Sequence, residues 1–142
     1  MLKFTLAFIL SLMFFSAASA KDLNSAWSRY ENISARIINR GERFGVEIKP
    51  DNGWYTYYKV SGDAGIPTEF DFSGSKNLKV KEVVYPPYKT KKEYGLRVNV
   101  YDKLTFFPIK AERTKNSVVK IKVTGAVCNN ICIPYELNLP SN

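Results

Sequence analysis

Apolar residues occur at every second position along most of this chain, in short separate runs. A spacing of two is the period of a strand with one buried face and one solvated face. The pattern therefore predicts a chain built mainly of strands. The alternating positions are Phe44, Val46 and Ile48; Phe70 and Phe72; Leu78 and Val80; Leu96, Val98 and Val100; Val119, Ile121 and Val123; and Ile131, Ile133, Tyr135, Leu137 and Leu139.

Turn-forming residues separate these runs, at residues 50–53, 61–65, 73–75, 86–87 and 115–117. Short strands with turn signals roughly every 8–12 residues are typical of a β-sandwich. The apolar positions of residues 23–38 fit a helical period poorly, and we expect there a short helical turn leading into a first strand near residues 35–38. Without an internal repeat or a linker, the sequence predicts an all-β chain with a single sandwich domain.

The first twenty residues follow a different pattern. Lys3 gives a basic start, residues 4–15 are almost wholly apolar, and small residues follow up to Ala20. These are the three parts of a secretory signal peptide, and the apolar run is short of the ~20 residues that a transmembrane helix needs. We therefore predict a cleaved signal peptide over residues 1–20, an N-terminal segment leading into the sandwich over residues 21–43, and the sandwich domain over residues 44–142.

The composition excludes several kinds of site. The 142 residues include no histidine and two cysteines, and both methionines fall within residues 1–20. A Ser–His–Asp or Cys–His pair needs an imidazole, and a four-thiolate zinc site or an iron–sulfur cluster needs more thiols. A copper site with thioether and imidazole ligands is equally implausible. We therefore expect neither a metal nor another cofactor.

Cys128 and Cys132, with three residues between them, are the pair that can carry chemistry. They lie between two strand-like runs, which predicts a hairpin tip with a loop of about three residues. Cysteines that face each other across a hairpin lie within disulfide range, so we expect an intramolecular bond when the chain is oxidised. Spacing alone leaves two interpretations open: a structural cross-link, or a redox pair accessible to a partner thiolate. Closing so short a loop contributes only about 2 kcal/mol, which argues weakly against the first.

Several motifs around the cysteines carry a family resemblance. Residues 53–58 (GWYTYY) and 62–68 (GDAGIPT) resemble the "GWHTYW…GDxGxPT" signature of the DsbD N-terminal domain family, also called the disulfide bond corrector domain. Residues 85–87 (YPP) look like the next short motif of that family, and residues 127–134 (VCNNICIP) are similar to its "VCxxxCIP" end. The motifs occur in the family's order and extend over most of the chain after residue 43.

The resemblance implies an immunoglobulin-like sandwich and a periplasmic thiol–disulfide oxidoreductase module. Such a module relays electrons between a membrane reductase and exported partner proteins. The family's two cysteines correspond to Cys128 and Cys132, and the second of them, here Cys132, is implied to form the mixed disulfide that Cys128 then resolves. The family's longer proteins continue into a membrane electron carrier and a thioredoxin-like domain. We therefore expect the carrier, and thioredoxin-like or other exported thiol proteins, to be separate partner chains.

The sequence departs from the signature at Tyr55, which replaces a histidine. Thiolate formation must then depend on a lysine, on backbone donors or on the partner. Aromatic residues offer candidates for shielding the pair or binding a partner, namely Tyr57, Tyr85 and Tyr88. For Tyr57 the alternative is core packing within an aromatic strand, and for Tyr85 and Tyr88, which flank two prolines, it is loop packing.

The formal net charge of +8 has a local component, since six lysines fall within residues 76–92. This stretch is either a solvated face with edge-protecting lysines or a surface that allows peripheral contact with an anionic membrane or an acidic partner. Nucleic acid is not an expected partner, because the chain has no binding motif for it. Two functions compete with the redox module: a non-catalytic exported binding module with a structural hairpin disulfide, and a chaperone-like subunit that binds peptides at strand edges.

Overall fold

The computed structural model describes residues 24–40 and 43–140, and the predicted signal peptide lies outside these ranges. Within these ranges the chain is all-β, with eleven strands and no helix. The described residues therefore contain no membrane-spanning helix. The strands are β1 (Ser28–Tyr30), β2 (Ile33–Arg40), β3 (Arg43–Pro50), β4 (Tyr55–Gly62), β5 (Glu69–Asp71), β6 (Lys76–Val83), β7 (Lys89–Glu93), β8 (Leu96–Tyr101), β9 (Thr105–Val118), β10 (Ile121–Asn129) and β11 (Ile131–Leu139).

Two antiparallel sheets form the sandwich that the alternating pattern predicts. One has the strand order β1-β2-β3-β9-β6. The other has the order β11-β10-β4-β8-β7, with the short strand β5 also paired to β10. The prediction of an immunoglobulin-like β-sandwich is confirmed.

The inward positions of both sheets form the main core. Phe107 of β9 is fully buried there, and the rings of Phe70, Tyr85 and Tyr101 surround it with centroid distances of 5.1 to 5.6 Å. These tilted and edge-on contacts are the arrangements that aromatic rings prefer. Most of the apolar residues that occur at every second position in the sequence are therefore ones whose side chains meet between the two sheets.

A second, smaller apolar cluster involves β4, β8 and β10. It consists of Tyr55, Tyr57, Val98, Val100, Ala126 and Cys128. Neighbouring residues such as Tyr58 and Val127 pack in the main core instead. Because successive side chains of a strand point to opposite faces, the smaller cluster lies on the outer face of the second sheet. The aromatic residues of β4 are therefore divided between the two faces.

The N-terminal segment differs from the expectation. Residues 28–40 form β1 and β2 of the first sheet rather than a helical turn before a strand at residue 35. The physical reason is that Ile33, Ala35 and Ile37 alternate and all enter the main core. On the opposite face of β2, Arg36 and Arg40 form ion pairs with the buried Glu47 of β3.

Candidate functional site

The hairpin of β10 and β11 places the two cysteines directly opposite each other. In its register Cys128 faces Cys132 and Asn129 faces Ile131, which leaves Asn130 at the tip with a φ of 60°. Asparagine tolerates this left-handed conformation better than most residues. The Cα atoms of the two cysteines are 4.1 Å apart, and the sulfurs are bonded. The expected intramolecular disulfide is present at the expected place.

The two sulfur-bearing residues differ sharply in exposure. Cys128 is 1% exposed, whereas Cys132 is exposed to solvent. The sheet order explains the difference. β10 has β11 on one side and β4 on the other, and Cys128 lies opposite Tyr55 of β4. β11 is the edge strand of the sheet, so Cys132 has a paired neighbour on one side only. Cys132 is therefore the more accessible of the two residues.

The Tyr57 hydroxyl lies beside both sulfurs. Its oxygen is 3.4 Å from Cys128 Sγ and 3.7 Å from Cys132 Sγ. Disulfide sulfurs carry no proton, so the tyrosine O–H is the group that can donate. Burial raises the pKa of Tyr57 above its ordinary value, which keeps the phenol protonated at physiological pH. The site thus holds a neutral hydrogen-bond donor where a thiolate forms when the disulfide opens.

An apolar groove of about 360 Å³ surrounds the disulfide. Its walls come from one loop, at residues 64–66, from the β7–β8 hairpin and from the β10–β11 hairpin, together with side chains of β4 and β8. Three large side chains on its rim are exposed to solvent, namely Ile66, Tyr94 and Leu96. The full lining is Tyr55, Tyr57, Ala64, Gly65, Ile66, Glu93, Tyr94, Leu96, Val98, Cys128, Asn130 and Cys132.

Tyr94 sits at the tip of the β7–β8 hairpin and reaches the tip of the β10–β11 hairpin. Tyr94 and Gly95 have φ values of 49° and 78°, as in a two-residue type I′ turn. The Tyr94 hydroxyl donates to the main-chain carbonyl of Asn130 at 3.4 Å. The tyrosine is nevertheless 82% exposed, so most of its ring is free to contact another molecule.

A charged pair lies at the same side of the groove. Lys91 Nζ is 4.1 Å from the centroid of the Tyr55 ring and 3.7 Å from Glu93 Oε2. This carboxylate oxygen is buried and has no hydrogen-bond partner. Lys91 is therefore a cation next to the aromatic wall of the site.

The three aromatic candidates occupy two different places. Tyr57 lies at the disulfide. Tyr88 stacks on Tyr58 with ring centroids 4.3 Å apart, and Tyr85 packs against Phe107 of the main core. The Tyr85 hydroxyl donates to the carbonyl of Thr68 at 2.7 Å. Burial raises the pKa of Tyr85 to about 12. The structure therefore does not bring Tyr85 and Tyr88 to the groove.

Sequence reasoning missed the groove residues Ile66, Glu93, Tyr94 and Leu96. Gly95, which directly precedes the alternating run that begins at Leu96, is a local turn signal. No local signal shows that this turn meets the cysteine hairpin, because that contact depends on the strand order. Within residues 24–40 and 43–140, no three side chains of the metal-ligating types lie close together.

The two sheets define an immunoglobulin-like β-sandwich with a disulfide of unequal exposure at one hairpin tip. The family described as "Thiol:disulfide interchange protein DsbD, N-terminal" matches residues 27–139, and the chain belongs to this family. The resemblance noted in the sequence is confirmed, and membership supports a module of thiol–disulfide exchange.

A solved structure agrees with the fold. The N-terminal periplasmic domain of ScsB from Proteus mirabilis superposes with a TM-score of 0.64 at 21% sequence identity. The match covers 84% of this chain and 51% of that chain, so this chain spans about half the length of that structure. No individual curated protein matches this chain in sequence.

Proposed function

We propose that this chain exchanges thiols and disulfides with protein partners through Cys128 and Cys132, relaying electrons from a membrane reductase to exported proteins. The observation that carries the proposal is the unequal exposure of one disulfide, with Cys132 open and Cys128 buried in an apolar groove. Thiol–disulfide exchange depends on which sulfur is attacked and on which sulfur leaves. At this site an attacking thiolate can reach the sulfur of Cys132, whereas the sulfur of Cys128 is enclosed.

The chain is reduced in two steps. A thiolate of the donor attacks Cys132 Sγ, the bond to Cys128 breaks, and its electron pair leaves on Cys128 as a thiolate. A second donor thiolate then attacks the mixed disulfide and releases Cys132. Each released thiolate can take up a proton, and the donor becomes a disulfide, so two electrons have passed to this chain.

The reduced chain passes the electrons on in the reverse order. The Cys132 thiolate attacks a partner disulfide and forms a mixed disulfide, with one partner thiolate released. Cys128 then loses its proton and attacks Cys132 Sγ, which restores the internal bond and frees the second partner thiolate. The 4.1 Å Cα separation keeps the resolving thiol next to its target throughout.

Tyr57 lowers the cost of this chemistry. A thiolate at Cys128 is a charge at a buried position, which is unfavourable unless a hydrogen bond compensates. The Tyr57 hydroxyl, 3.4 Å from that sulfur, can strengthen its bond when charge develops. Hydrogen bonds to charged groups contribute about 1.5–3 kcal/mol, which corresponds to roughly one to two pKa units.

A purely structural role for the disulfide is less well supported. The bond joins residues that the hairpin ladder already holds opposite each other, and it closes a ring of a few residues. In the chain-entropy model such a ring adds only about 2 kcal/mol. A disulfide between residues distant along the chain would stabilise a binding module more, because it closes a longer loop.

The single-cysteine variants test the proposal. Cys128→Ser leaves the exposed thiol, and we expect it to react quickly with dithionitrobenzoate and to accumulate a mixed disulfide with a protein disulfide. Cys132→Ser leaves the buried thiol, and we expect it to react at least tenfold more slowly and to trap nothing. Equal rates, or faster reaction of Cys132→Ser, would contradict the assignment of Cys132 as the attacked sulfur.

The proposed location is the periplasm. It is supported by the signal-peptide pattern of residues 1–20 and by the likeness to a periplasmic domain. Expression in a bacterium with an intact export pathway should yield a mature chain that begins at Lys21, as read by mass spectrometry of the intact protein. A chain retaining residues 1–20 in the membrane fraction would contradict a cleaved signal.

A further inference from the structure

The segment 62–68 forms a wall of the groove, and the exchange chemistry does not itself use it. Its glycine Gly65 has a φ of 103°, a conformation that disfavours any side chain. A Cβ added there would meet three atoms of the Tyr57 ring, among them Cδ1 at 2.6 Å. Gly65 therefore lies flat against the tyrosine whose hydroxyl reaches the disulfide.

The segment is held in place independently of that tyrosine. The Asp63 amide donates to the Arg97 carbonyl, and the Arg97 amide donates back to the Asp63 carboxylate, each at 2.8 Å. Ser61 Oγ also donates to the carbonyl of Gly65 at 3.3 Å. The bonds of Asp63 attach the segment to β8 and the bond of Ser61 attaches it to the end of β4, so the segment can act as a fixed support for the ring.

The main chain of Tyr57 is held from the opposite side. Thr68, at the end of the same segment, is fully buried and donates from Oγ1 to the Tyr57 carbonyl at 2.6 Å. Thr56 Oγ1 lies 3.3 Å from Thr68 Oγ1 and 3.0 Å from the Tyr135 hydroxyl. Residues 65 and 68 of one segment thus hold the ring and the backbone of Tyr57, respectively.

We propose that Gly65 is a positioning residue, which keeps the Tyr57 hydroxyl within reach of Cys128 Sγ and Cys132 Sγ. The inference rests on the proposed exchange function and deepens it. An added methyl group displaces the ring, because the segment is fixed to β8 and the glycine has no room to retreat. The displaced hydroxyl no longer stabilises the thiolate at residue 128, and the pKa of that thiol rises.

The test is a titration of the Cys128 thiol in the Cys132→Ser background, followed through its ¹³Cβ chemical shift. We expect Tyr57→Phe and Gly65→Ala each to raise the midpoint by about one pH unit, equivalent to about 1.4 kcal/mol. Because both act through one hydroxyl, Gly65→Ala should add nothing further in the Tyr57→Phe background. An unchanged midpoint for Gly65→Ala, or additive shifts in the double variant, would overturn the proposal.

Gly53→Ala is the matched control. Gly53 also has a positive φ, 83°, but a Cβ there meets its nearest atom, Asn129 Nδ2, at an ordinary 3.9 Å. The Gly53→Ala variant should carry the same backbone strain and leave the titration midpoint of the Cys128 thiol unchanged. A shift as large as that of Gly65→Ala would attribute the effect to strain and overturn the positioning role.

Two further measurements keep the outcome unambiguous. If Gly65→Ala does not fold, Thr68→Val removes the donor to the Tyr57 carbonyl, and the conservative Thr68→Ser should restore the midpoint. A failure of Thr68→Val to raise the midpoint would then count against the proposal. The midpoint is read at Cys128, whereas trapping of a mixed disulfide by Cys128→Ser is read at Cys132, so the positioning role and the exchange function can fail separately.

Discussion

At the scale of single residues, the position of a strand in the sheet gives two cysteines different exposure to solvent. Cys128 is enclosed because β10 is paired on both sides, and Cys132 is exposed because β11 is an edge strand. The Tyr57 hydroxyl is close to both sulfurs. The proposed exchange therefore relies on exposure and on one phenol, without the imidazole that the chain does not contain.

A second residue-scale feature is the ion pair of Arg29 and Asp51, which attaches β1 to the turn after β3. Two parallel hydrogen bonds join them, at 3.0 and 2.6 Å. The hydrogen bond from Arg29 is the main cause that lowers the pKa of Asp51. A carboxyl with a lower pKa in the folded chain stabilises the fold above its unfolded pKa, and this contribution is lost as the pH falls through the folded pKa.

Asp51→Asn should therefore lower the urea midpoint of unfolding at pH 7 and matter less as the pH falls below about 4, the region of an ordinary aspartate pKa. The effect should be small, since the pair is exposed to solvent. Urea titrations of both proteins from pH 7 to pH 2.5 check this. A difference in midpoint that grows toward low pH would contradict the linkage.

At the scale of elements, β2 and β3 share a buried carboxylate. The Glu47 side chain is 2% exposed and pairs with Arg36 and Arg40, whose side chains are 32% and 51% exposed. Arg36 lies over the Trp27 ring and Arg40 over the Phe106 ring. The arginines can hydrate if they lose Glu47, whereas Glu47 cannot hydrate if it loses them.

Replacing both arginines with alanine should therefore destabilise the fold by about 3 kcal/mol, because it leaves an unpaired buried charge. Glu47→Gln should cost less, about 1 kcal/mol, because an amide still accepts a hydrogen bond. Denaturant titrations at pH 7 compare them, with Glu136→Gln of the exposed pair with Lys122 as a control that changes little. The opposite order would contradict the argument from hydration.

At the same scale, the tip of the β7–β8 hairpin is where we expect a partner protein to make contact. Tyr94 is 82% exposed, so Tyr94→Ser should leave the unfolding midpoint and the rate of reduction by dithiothreitol nearly unchanged. Exchange with a protein thiol should slow, because the variant removes apolar surface that a docked protein buries.

Reduction of this chain by reduced thioredoxin and by dithiothreitol, measured in parallel, separates the two effects. Lys92→Ser on the exposed strand β7 is a matched surface control. A proportional loss of both rates in Tyr94→Ser would indicate a changed disulfide rather than a lost docking contact.

At the scale of the whole molecule, the disulfide is a minor contributor to stability. Two sheets and the main core around Phe107 hold the fold together, and the cysteine ring is small and local. Reduction should therefore lower the free energy of unfolding by about 2 kcal/mol or less and leave the sandwich folded. Denaturation of the oxidised and reduced forms, with far-ultraviolet circular dichroism before the transition, tests this. Loss of the β-sheet signal on reduction would support the structural cross-link instead.

The strand content and the disulfide were predictable because both depend on local patterns. Alternation identifies a half-buried strand, and two cysteines that flank a tight turn have few other geometries open to them. The same alternation is present at Ile33, Ala35 and Ile37, although the segment was expected to include a helical turn. Family membership was also predictable, since its motifs are short stretches of sequence in a fixed order.

The surroundings of the disulfide were decided by the tertiary structure. Tyr57, Tyr85 and Tyr88 are equivalent aromatic candidates in the sequence, yet only Tyr57 contacts the sulfurs. The strand order, not the sequence spacing, brings residues 65 and 94 to Cys132 and makes β11 an edge. The sequence by itself determined the strands, the cysteine pair and the absence of imidazole. The fold determined which sulfur is open and what surrounds it, because exposure depends on neighbours that are distant along the chain.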